Sequence, residues 1–396
     1  MDSHIFLDLG KQPIANNFLT KDDLENEYMF PLRVKFDYDT KLVSLVNFVP
    51  PEKMFHDNYA YRSSLSQTMR EHFEGIARII DVSYSPEKVL EIGSDDGVFI
   101  KHFDVNVAFA VEPCGNFCDI TNDMGYRTFK KFWTNTVAEE LVREIGKMDV
   151  VFAANCMCHI QTLDDTFEGI NTILSDDGVF VFEDPSLFSM LSRTSYDQIY
   201  DEHAHIFSVT ALKILLGEHG LEIFRVDEIN VHGGSNRIWV KKKYSRMHRY
   251  DESVIKHLIE EQRLGVNYIE TYSEFGQNVQ KSRDALVQLL QTLKEQGKNV
   301  VSYGATSKST TVFNYCGIDV NLIPYIFDTT PEKQGKLSPG VHIPIVPYKE
   351  GCLEGIDYAF LGAWNYEKEI MNKEKKYVDR GGKFISHVPN VRVLPK

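Results

Sequence analysis

The sequence predicts an α/β protein: a doubly wound parallel sheet, preceded by a small lobe rich in turns and followed by a second, Rossmann-like unit. Three observations carry this reading. Short apolar runs alternate with helical patterns between about residues 66 and 242, which sets strands side by side with helices on the faces of the sheet. One of these runs passes directly into a glycine-containing turn, Glu91-Ile92-Gly93-Ser94-Asp95-Asp96-Gly97, that opens a helix. The strand and helix pattern then restarts near residue 299, after a long stretch of helical periodicity.

In order along the chain, residues 1–65 carry turns and two strand-like runs, 31–36 and 42–46. Strands are expected at 88–92, 107–111, 148–152 and 178–182, each apolar enough to be buried on both faces. Residues 250–297 place Leu258, Tyr268, Leu286, Leu289, Leu290 and Leu293 among many charges, the pattern of long helices. Further strands follow at 299–304, 322–328, 358–362 and 383–386. The expected units are a lobe (1–65), a first α/β domain (66–245), and a helical linker with a second α/β domain (246–396).

Composition narrows the function. The chain has 396 residues, 43% of them apolar and 25% charged, as in a globular protein of two or three domains. A formal net charge of −14 argues against a nucleic-acid surface. A phosphate-bearing small substrate is still compatible, because helix N-termini and a few local cations can bind it. No run approaches the roughly 18 uncharged apolar residues of a membrane span, and no signal-peptide pattern opens the chain. The six cysteines, 114, 118, 156, 158, 316 and 352, form no Cys-x-x-Cys pair. They are expected to be free thiols in a reducing compartment, the cytoplasm. Nothing in the sequence sets an oligomeric state.

The turn after the first strand predicts a cofactor. Gly93 and Gly97 let the backbone turn tightly and approach a ligand. The spacing is not the dinucleotide G-x-G-x-x-G, and the acidic Glu91 and Asp95 suit a cationic or neutral ligand better than a pyrophosphate. About twenty residues on, strand 107–111 ends at Glu112, where an acid can accept hydrogen bonds from a ribose diol. S-adenosylmethionine (SAM) fits, having a ribose and a sulfonium cation but no phosphate. The cofactor set is therefore Glu91, Gly93, Ser94, Asp95, Gly97 and Glu112.

A second cluster is Gln198-Ile199-Tyr200-Asp201-Glu202-His203-Ala204-His205, a phenol, two carboxylates and two imidazoles in eight residues. Groups of this kind close together serve proton transfer, since a carboxylate orients an imidazole and holds it near a working pKa. If the segment is extended, His203 and His205 point to the same side and both are candidate bases. Asn155 and His159 follow strand 148–152, at the carboxyl edge where open α/β sheets bind ligands, although an Asn there also serves as a helix cap. In the last domain Gly304-Ala305-Thr306-Ser307-Lys308-Ser309-Thr310 follows a strand, without the Walker order, and can hold a diphosphate at a helix start. Asp328 ends the next strand in the position of a ribose-binding acid.

These motifs, together with Leu7-Asp8-Leu9-Gly10-Lys11-Gln12-Pro13-Ile14-Ala15-Asn16-Asn17-Phe18-Leu19, Tyr59-Ala60-Tyr61-Arg62-Ser63-Ser64, Asn155-Cys156-Met157-Cys158-His159-Ile160, His232-Gly233-Gly234-Ser235, Asn314-Tyr315-Cys316-Gly317 and Lys333-Gln334-Gly335-Lys336, resemble the SAM-dependent sugar C-methyltransferases nearly end to end. That family methylates nucleotide-linked keto-deoxysugars. The resemblance implies a class I SAM-methyltransferase sheet plus a C-terminal Rossmann-like domain and a small N-terminal lobe. It implies His203 as the general base that takes the proton next to the sugar ketone, with Tyr200, Asn155 and His159 lining the pocket and Glu202 touching substrate. Lys308 and Lys333 become phosphate contacts, Asn314 a further substrate contact, and Tyr59 and Tyr61 covers over the substrate. The expected substrate is a nucleoside-diphosphate keto-sugar methylated at C3 of a 4-keto-deoxysugar. Methylation at C5, oxygen or nitrogen is the alternative, as is a silent sugar-nucleotide or SAM-binding protein; an NAD-dependent oxidoreductase has the wrong glycine spacing.

One departure is plain. The family usually opens with a zinc-binding domain carrying four cysteines in two spaced pairs. Here the second pair would fall near Phe36-Asp37-Tyr38-Asp39, which has no cysteine, and His4 alone cannot supply four ligands. No metal is expected, and the lobe is expected to be held by packing.

Overall fold

The computed structural model describes residues 2–57, 59 and 61–395. Its central sheet has seven strands in the order Leu221–Ile229, Ser235–Lys242, Leu174–Pro185, Met148–Ala154, Val89–Ile92, Ala108–Val111, Arg127–Phe129. The last five of these run parallel. The expected doubly wound sheet is present, and two strands that the sequence did not mark extend it: Leu221–Ile229 and Ser235–Lys242 pair antiparallel to each other, and the second is antiparallel to Leu174–Pro185. The reason is local. Only 230–234 separate the two edge strands, too few residues for the crossover that parallel neighbours need. Strand Val89–Ile92 lies inside the sheet, and the chain leaves it first toward Ala108–Val111 and later toward Met148–Ala154 on the other side. That reversal opens a crevice at the carboxyl ends of the strands. Val89, Leu90, Val150, Val151, Phe152, Phe180 and Val181 are fully buried, so the strands are apolar on both faces.

The second sheet has six strands, ordered Ile345–Pro347, Ile326–Asp328, Val300–Tyr303, Tyr358–Leu361, Lys383–Ser386, Arg392–Leu394. All are parallel except the last. Two helices, Glu252–Leu264 and Ile269–Glu295, precede it, where long helices were expected. The first starts on an Asp251 side chain that accepts from the Ser253 amide and stops at left-handed Gly265, the usual capping chemistry of both ends. Among the described residues no helix is long and apolar enough to cross a membrane.

The N-terminal lobe is a four-stranded sheet of Ser3–Pro13, Met29–Asp37, Val43–Leu45 and His205–Ile206. Its fourth strand comes from the far end of the titratable cluster, which ties the lobe to the crevice. The lobe shares one apolar core with the second α/β unit: Leu7, Val34 and Phe36 belong with Tyr272, Leu286, Val312 and Phe360. Phe36 stacks on Tyr272 at 4.6 Å. Where the second cysteine pair would lie, the Asp37 carboxylate accepts from the Asp39 amide (3.0 Å) and from the amide and hydroxyl of Thr40 (2.8 and 2.9 Å), an Asx turn that closes the knuckle by itself.

Candidate active site

A cavity of about 440 Å³ occupies the crevice, walled by the carboxyl edge of the central sheet, by Asn16, Tyr59 and Tyr61, and by Thr306, Ser307, Lys308 and Lys333 of the second α/β unit. At one end the 91–97 loop forms its floor. Gly93 sits at φ +75°, and a Cβ there would lie 2.9 Å from Cys156 Sγ, so only glycine fits without movement. Asp95 also holds a left-handed conformation at φ +47°, the kind of backbone strain found at ligand sites. Its Oδ2 accepts from the Ser63 amide at 2.8 Å, while Oδ1 is buried and has no partner among the described residues. Burial, reinforced by neighbouring Asp96, pushes the Asp95 carboxyl up to about 8. Glu112 takes the amides of Asp95 (3.0 Å) and Cys114 (2.8 Å), one on each oxygen, which leaves a lone pair on each. An unpartnered carboxylate oxygen, a second carboxylate with spare lone pairs, and an aromatic wall of Phe117, Phe132 and Trp133 fit the cation, ribose and adenine of SAM.

Not all of the predicted cofactor set reaches the cavity. Gly93, Asp95 and Glu112 line it, whereas Glu91, Ser94 and Gly97 lie behind its wall. Glu91 is buried, which pushes its carboxyl well up. Gly97, at φ +76°, faces Thr121 and Met124, so its role is to close the turn against the next helix.

At the other end lies the titratable cluster. His203 directs Nδ1 at the Gln198 carbonyl, 2.6 Å away. A carbonyl can only accept, so Nδ1 carries the proton and Nε2 keeps a lone pair. That lone pair meets the Tyr200 hydroxyl at 2.7 Å. Burial, then the nearby His159 and Lys308, hold His203 well below the ordinary histidine range, so the imidazole is neutral at neutral pH and its Nε2 lone pair is free to accept a proton. His159 stacks on His203 at 5.4 Å and 23°, and burial pushes it down to about 3. Glu202 accepts from Asn16 Nδ2 (2.7 Å) and the Tyr59 hydroxyl (2.9 Å). Burial raises its carboxyl, and these two bonds counter the effect. Asn155, at φ +48°, lines the wall and donates its amide to the Glu183 carbonyl at 2.6 Å. The cluster is not extended: the His203 amide bonds back to the Tyr200 carbonyl, making a turn that sends the two imidazoles apart. His205 lies outside the cavity wall, with Nε2 3.3 Å from the Gln161 carbonyl. Asp201 accepts the Ala15 amide at 2.8 Å and holds the lobe to the turn.

Comparison with known proteins gives the family. Sequence-family models described as a zinc binding domain, a methyltransferase domain and a C-methyltransferase C-terminal domain match residues 1–55, 61–226 and 230–389. The C-methyltransferase NovU of Streptomyces niveus is 30% identical over 394 residues, covering 97% of this chain and 93% of the relative. This chain belongs to the SAM-dependent C-methyltransferases. Solved structures similar to part of this chain include a SAM-dependent methyltransferase of Clostridium acetobutylicum (14% identity, TM-score 0.35, 43% of this chain and 91% of that one). Another is a SAM-dependent methyltransferase, possible histamine N-methyltransferase, of Thermotoga maritima (18% identity, TM-score 0.33, 43% and 91%). The enzyme is an α/β SAM-dependent methyltransferase, and SAM is its cofactor.

The zinc that the N-terminal match implies does not fit this C-methyltransferase. No cysteine precedes Cys114, and the Asp37 carboxylate is spent on its own turn. Among the described residues, Cys158, His159 and His203 bring one donor atom each within 4.8 Å of one another. Both nitrogens of His203 are already hydrogen-bonded, so a metal there would have to break one of those bonds.

The second α/β unit of the C-methyltransferase contributes unevenly. Lys308 and Lys333 are in the wall, and Lys333 donates to the Ala305 carbonyl (2.8 Å) and sits 4.8 Å over the Phe18 ring. Asn314 is not, a correction to its expected role. Its amide donates to the carbonyls of Thr310 (2.9 Å) and Pro339 (3.0 Å), which fastens its helix to the 337–341 turn. Asp328 is likewise not in the wall; it takes the amides of Ala305 and Thr330, one on each oxygen at 2.7 Å, and so ties the 304–305 turn to 328–330.

Sequence reasoning left out several wall residues. Asn16 was quoted only as part of a family run, yet it bonds Glu202. His232, at φ +50°, shows a buried Nε2 without a partner among the described residues, and burial pushes it down to about 3. The Gln198 side chain donates to the His232 backbone carbonyl while its own backbone carbonyl accepts from His203 Nδ1, so one residue holds the His232 backbone and the His203 ring. The two glycines after His232 were the available signal. A Cβ on Gly233 would meet Trp364 at 2.5 Å. A second, more polar cavity of about 310 Å³ shares Asn16 and Tyr59 with the first and includes Phe18 and Lys336.

Proposed function

We propose that this C-methyltransferase methylates a nucleoside-diphosphate-linked keto-deoxysugar at the carbon beside its ketone, C3 of a 4-keto sugar. The observation that carries the reading is a buried, neutral His203 whose basic nitrogen opens on the same cavity as Glu202, Tyr200 and two buried lysines. SAM supplies an electrophilic methyl group. Everything else falls to the chain. His203 Nε2 takes the proton from the carbon acid, which replaces the Tyr200 hydroxyl at that lone pair and frees the phenol to donate to a substrate oxygen. Gln198 stabilises the imidazolium through Nδ1. Glu202, fixed by Asn16 and Tyr59, accepts a sugar hydroxyl, and His159 and Asn155 complete the wall. Tyr59 and Tyr61 keep water out. Lys333, turned toward Phe18 of the second cavity, meets the diphosphate, and the second cavity takes the nucleoside. The lobe (1–65), the methyltransferase domain (66–245) and the C-terminal unit (246–396) thus each supply part of one site. The six free thiols suit a reducing compartment, in keeping with a cytoplasmic enzyme.

The test is to incubate the enzyme with methyl-labelled SAM and a panel of nucleoside-diphosphate keto-sugars and to locate the label. Label on a carbon next to the ketone is the expected result. Label on oxygen or nitrogen, or none with any keto-sugar, would refute the reading.

A second expectation concerns the cofactor end. A cation beside Asp95 favours its charged form, and the free carboxyl titrates near 8, so SAM binding at pH 7 displaces a proton from it. Above that value the carboxyl is already ionised and nothing is displaced. Calorimetry at pH 7 in buffers of different ionisation heat should find about one more proton released by the wild type than by Asp95→Asn. Equal release would remove Asp95 from the cofactor site.

A further inference from the structure

The reaction proposed above leaves one requirement open. A carbon acid beside a ketone ionises only when the charge that develops on the ketone oxygen is met, and fixed cations and amide dipoles in a dry site meet it best. Tyr200 is a weak candidate for this task by itself, because it is a neutral phenol whose proton is directed at His203 in the resting site. A stronger group stands at the start of helix Ser307–Cys316.

This helix points its N-terminus into the cavity, where Thr306, Ser307 and Lys308 form part of the wall. Its cap is closed by Thr306 and Ser309, each bonding the other's amide. The amides of Ser307 and Lys308, by contrast, have no hydrogen-bond partner among the described residues. They carry the positive end of the helix dipole. The Lys308 side chain adds an ammonium, whose charge burial disfavours and nearby Asp197 and Glu202 favour: the residue is only 9% exposed, and it makes no hydrogen bond or ion pair with any described residue. Its charge is felt by Glu202, His203 and His232 of the cavity wall and by the buried Asp197. Lys333 differs in just this respect, being anchored to the Ala305 carbonyl and turned toward Phe18. A buried, unpaired ammonium is costly and persists where an anion is to be bound.

We infer that Lys308, with the helix start behind it, is the oxyanion-binding group of the reaction: its ammonium stabilises the enolate oxygen, and the diphosphate is left to Lys333. In that step the C–H electron pair moves into the new C=C bond and the carbonyl π pair moves onto oxygen. The proton goes to His203 Nε2, and the oxygen's negative charge is held by Lys308 and the free amides. The inference rests on the proposed substrate class.

The test separates oxygen from phosphate. With UDP- and TDP-linked 4-keto-6-deoxyhexoses in deuterated solvent, the wild type should exchange the proton beside the ketone. Lys308→Met should slow the maximal exchange rate by about 100- to 1,000-fold, the usual loss for one oxyanion donor. Its affinity for nucleoside diphosphates alone, measured by calorimetry, should stay within about threefold of the wild type. Lys308→Arg, which keeps the charge, should recover part of the rate, and SAM binding by each variant reports that the fold is intact. Undiminished exchange in Lys308→Met together with a large loss of diphosphate affinity would overturn the inference and make Lys308 a phosphate contact. Failure of the wild type to exchange with any keto-sugar would instead overturn the proposed substrate class, and this inference with it.

Discussion

His203→Ala is expected to abolish exchange of the substrate proton with deuterated solvent while SAM binding is retained. A positioned general base contributes on the order of 100- to 10,000-fold, and methyl transfer should fall by at least as much because it follows proton removal. The two measurements are separable because the imidazole makes no hydrogen bond to the 91–97 loop, its two nitrogens being held by Gln198 and Tyr200. The effect should fall on the maximal rate more than on substrate affinity, since Glu202, Tyr59 and Asn16 hold one another without the ring. A pH profile gives a second readout. Burial lowers the proton affinity of His203, so the base stays free as pH falls through 6.5, and the acid limb of the wild-type exchange rate should appear well below that value. An acid limb near 6.5 would mean that the working base is an exposed histidine. Exchange that persists in His203→Ala would point to another base.

The difference between His203 and His205 shows how far the sequence could be read. Both imidazoles were legible as titratable groups in one short run, and spacing alone offered both, because an extended chain repeats its faces every two residues. The turn at 200–203 and the pairing of His205–Ile206 with the lobe decide between them, and both depend on contacts more than 150 residues away in sequence, such as Ala15 with Asp201. The parallel strands were legible for the opposite reason. They are apolar on both faces and need no partner to be recognised, and 88–92, 148–152 and 358–362 each coincide with an observed strand. The edge hairpin and the lobe's first strand, Ser3–Pro13, half polar in sequence, gave no comparable signal, whereas the lobe runs 31–36 and 42–46 did fall on strands.

Side-chain roles follow the same division. Gly93 announces itself, since only glycine tolerates its backbone and its closeness to Cys156. Asn314 announced a function it does not have, because an amide that binds two carbonyls inside the fold reads in sequence like one kept for a ligand. His232 and Asn16 were silent, although one shows an unpartnered nitrogen and the other bonds Glu202. Nothing local in the chain tells an amide that orients a carboxylate from one that faces solvent.

Gly93→Arg is expected to eliminate SAM binding, and its cause can be divided in two. The first part is conformational: φ of +75° costs any L-residue about 1–3 kcal/mol. The second is steric, because the new Cβ would stand 2.9 Å from Cys156 Sγ, and the rest of an arginine has only the cavity to enter, where the cofactor belongs. Gly93→Ala carries the first cost and only the start of the second. It should therefore weaken SAM binding by about 5- to 100-fold, the equivalent of that strain at 1.4 kcal/mol per decade, while leaving some binding to measure. For Gly93→Arg calorimetry should register no SAM heat, although nucleoside diphosphates, which the proposed substrate would seat at Lys333, should still bind with near wild-type affinity. SAM binding by Gly93→Arg at wild-type strength would mean that the cofactor lies elsewhere than on the 91–97 loop. Loss of both ligands at once would mean that the substitution breaks the sheet edge itself, and the Gly93→Ala titration would then carry the test.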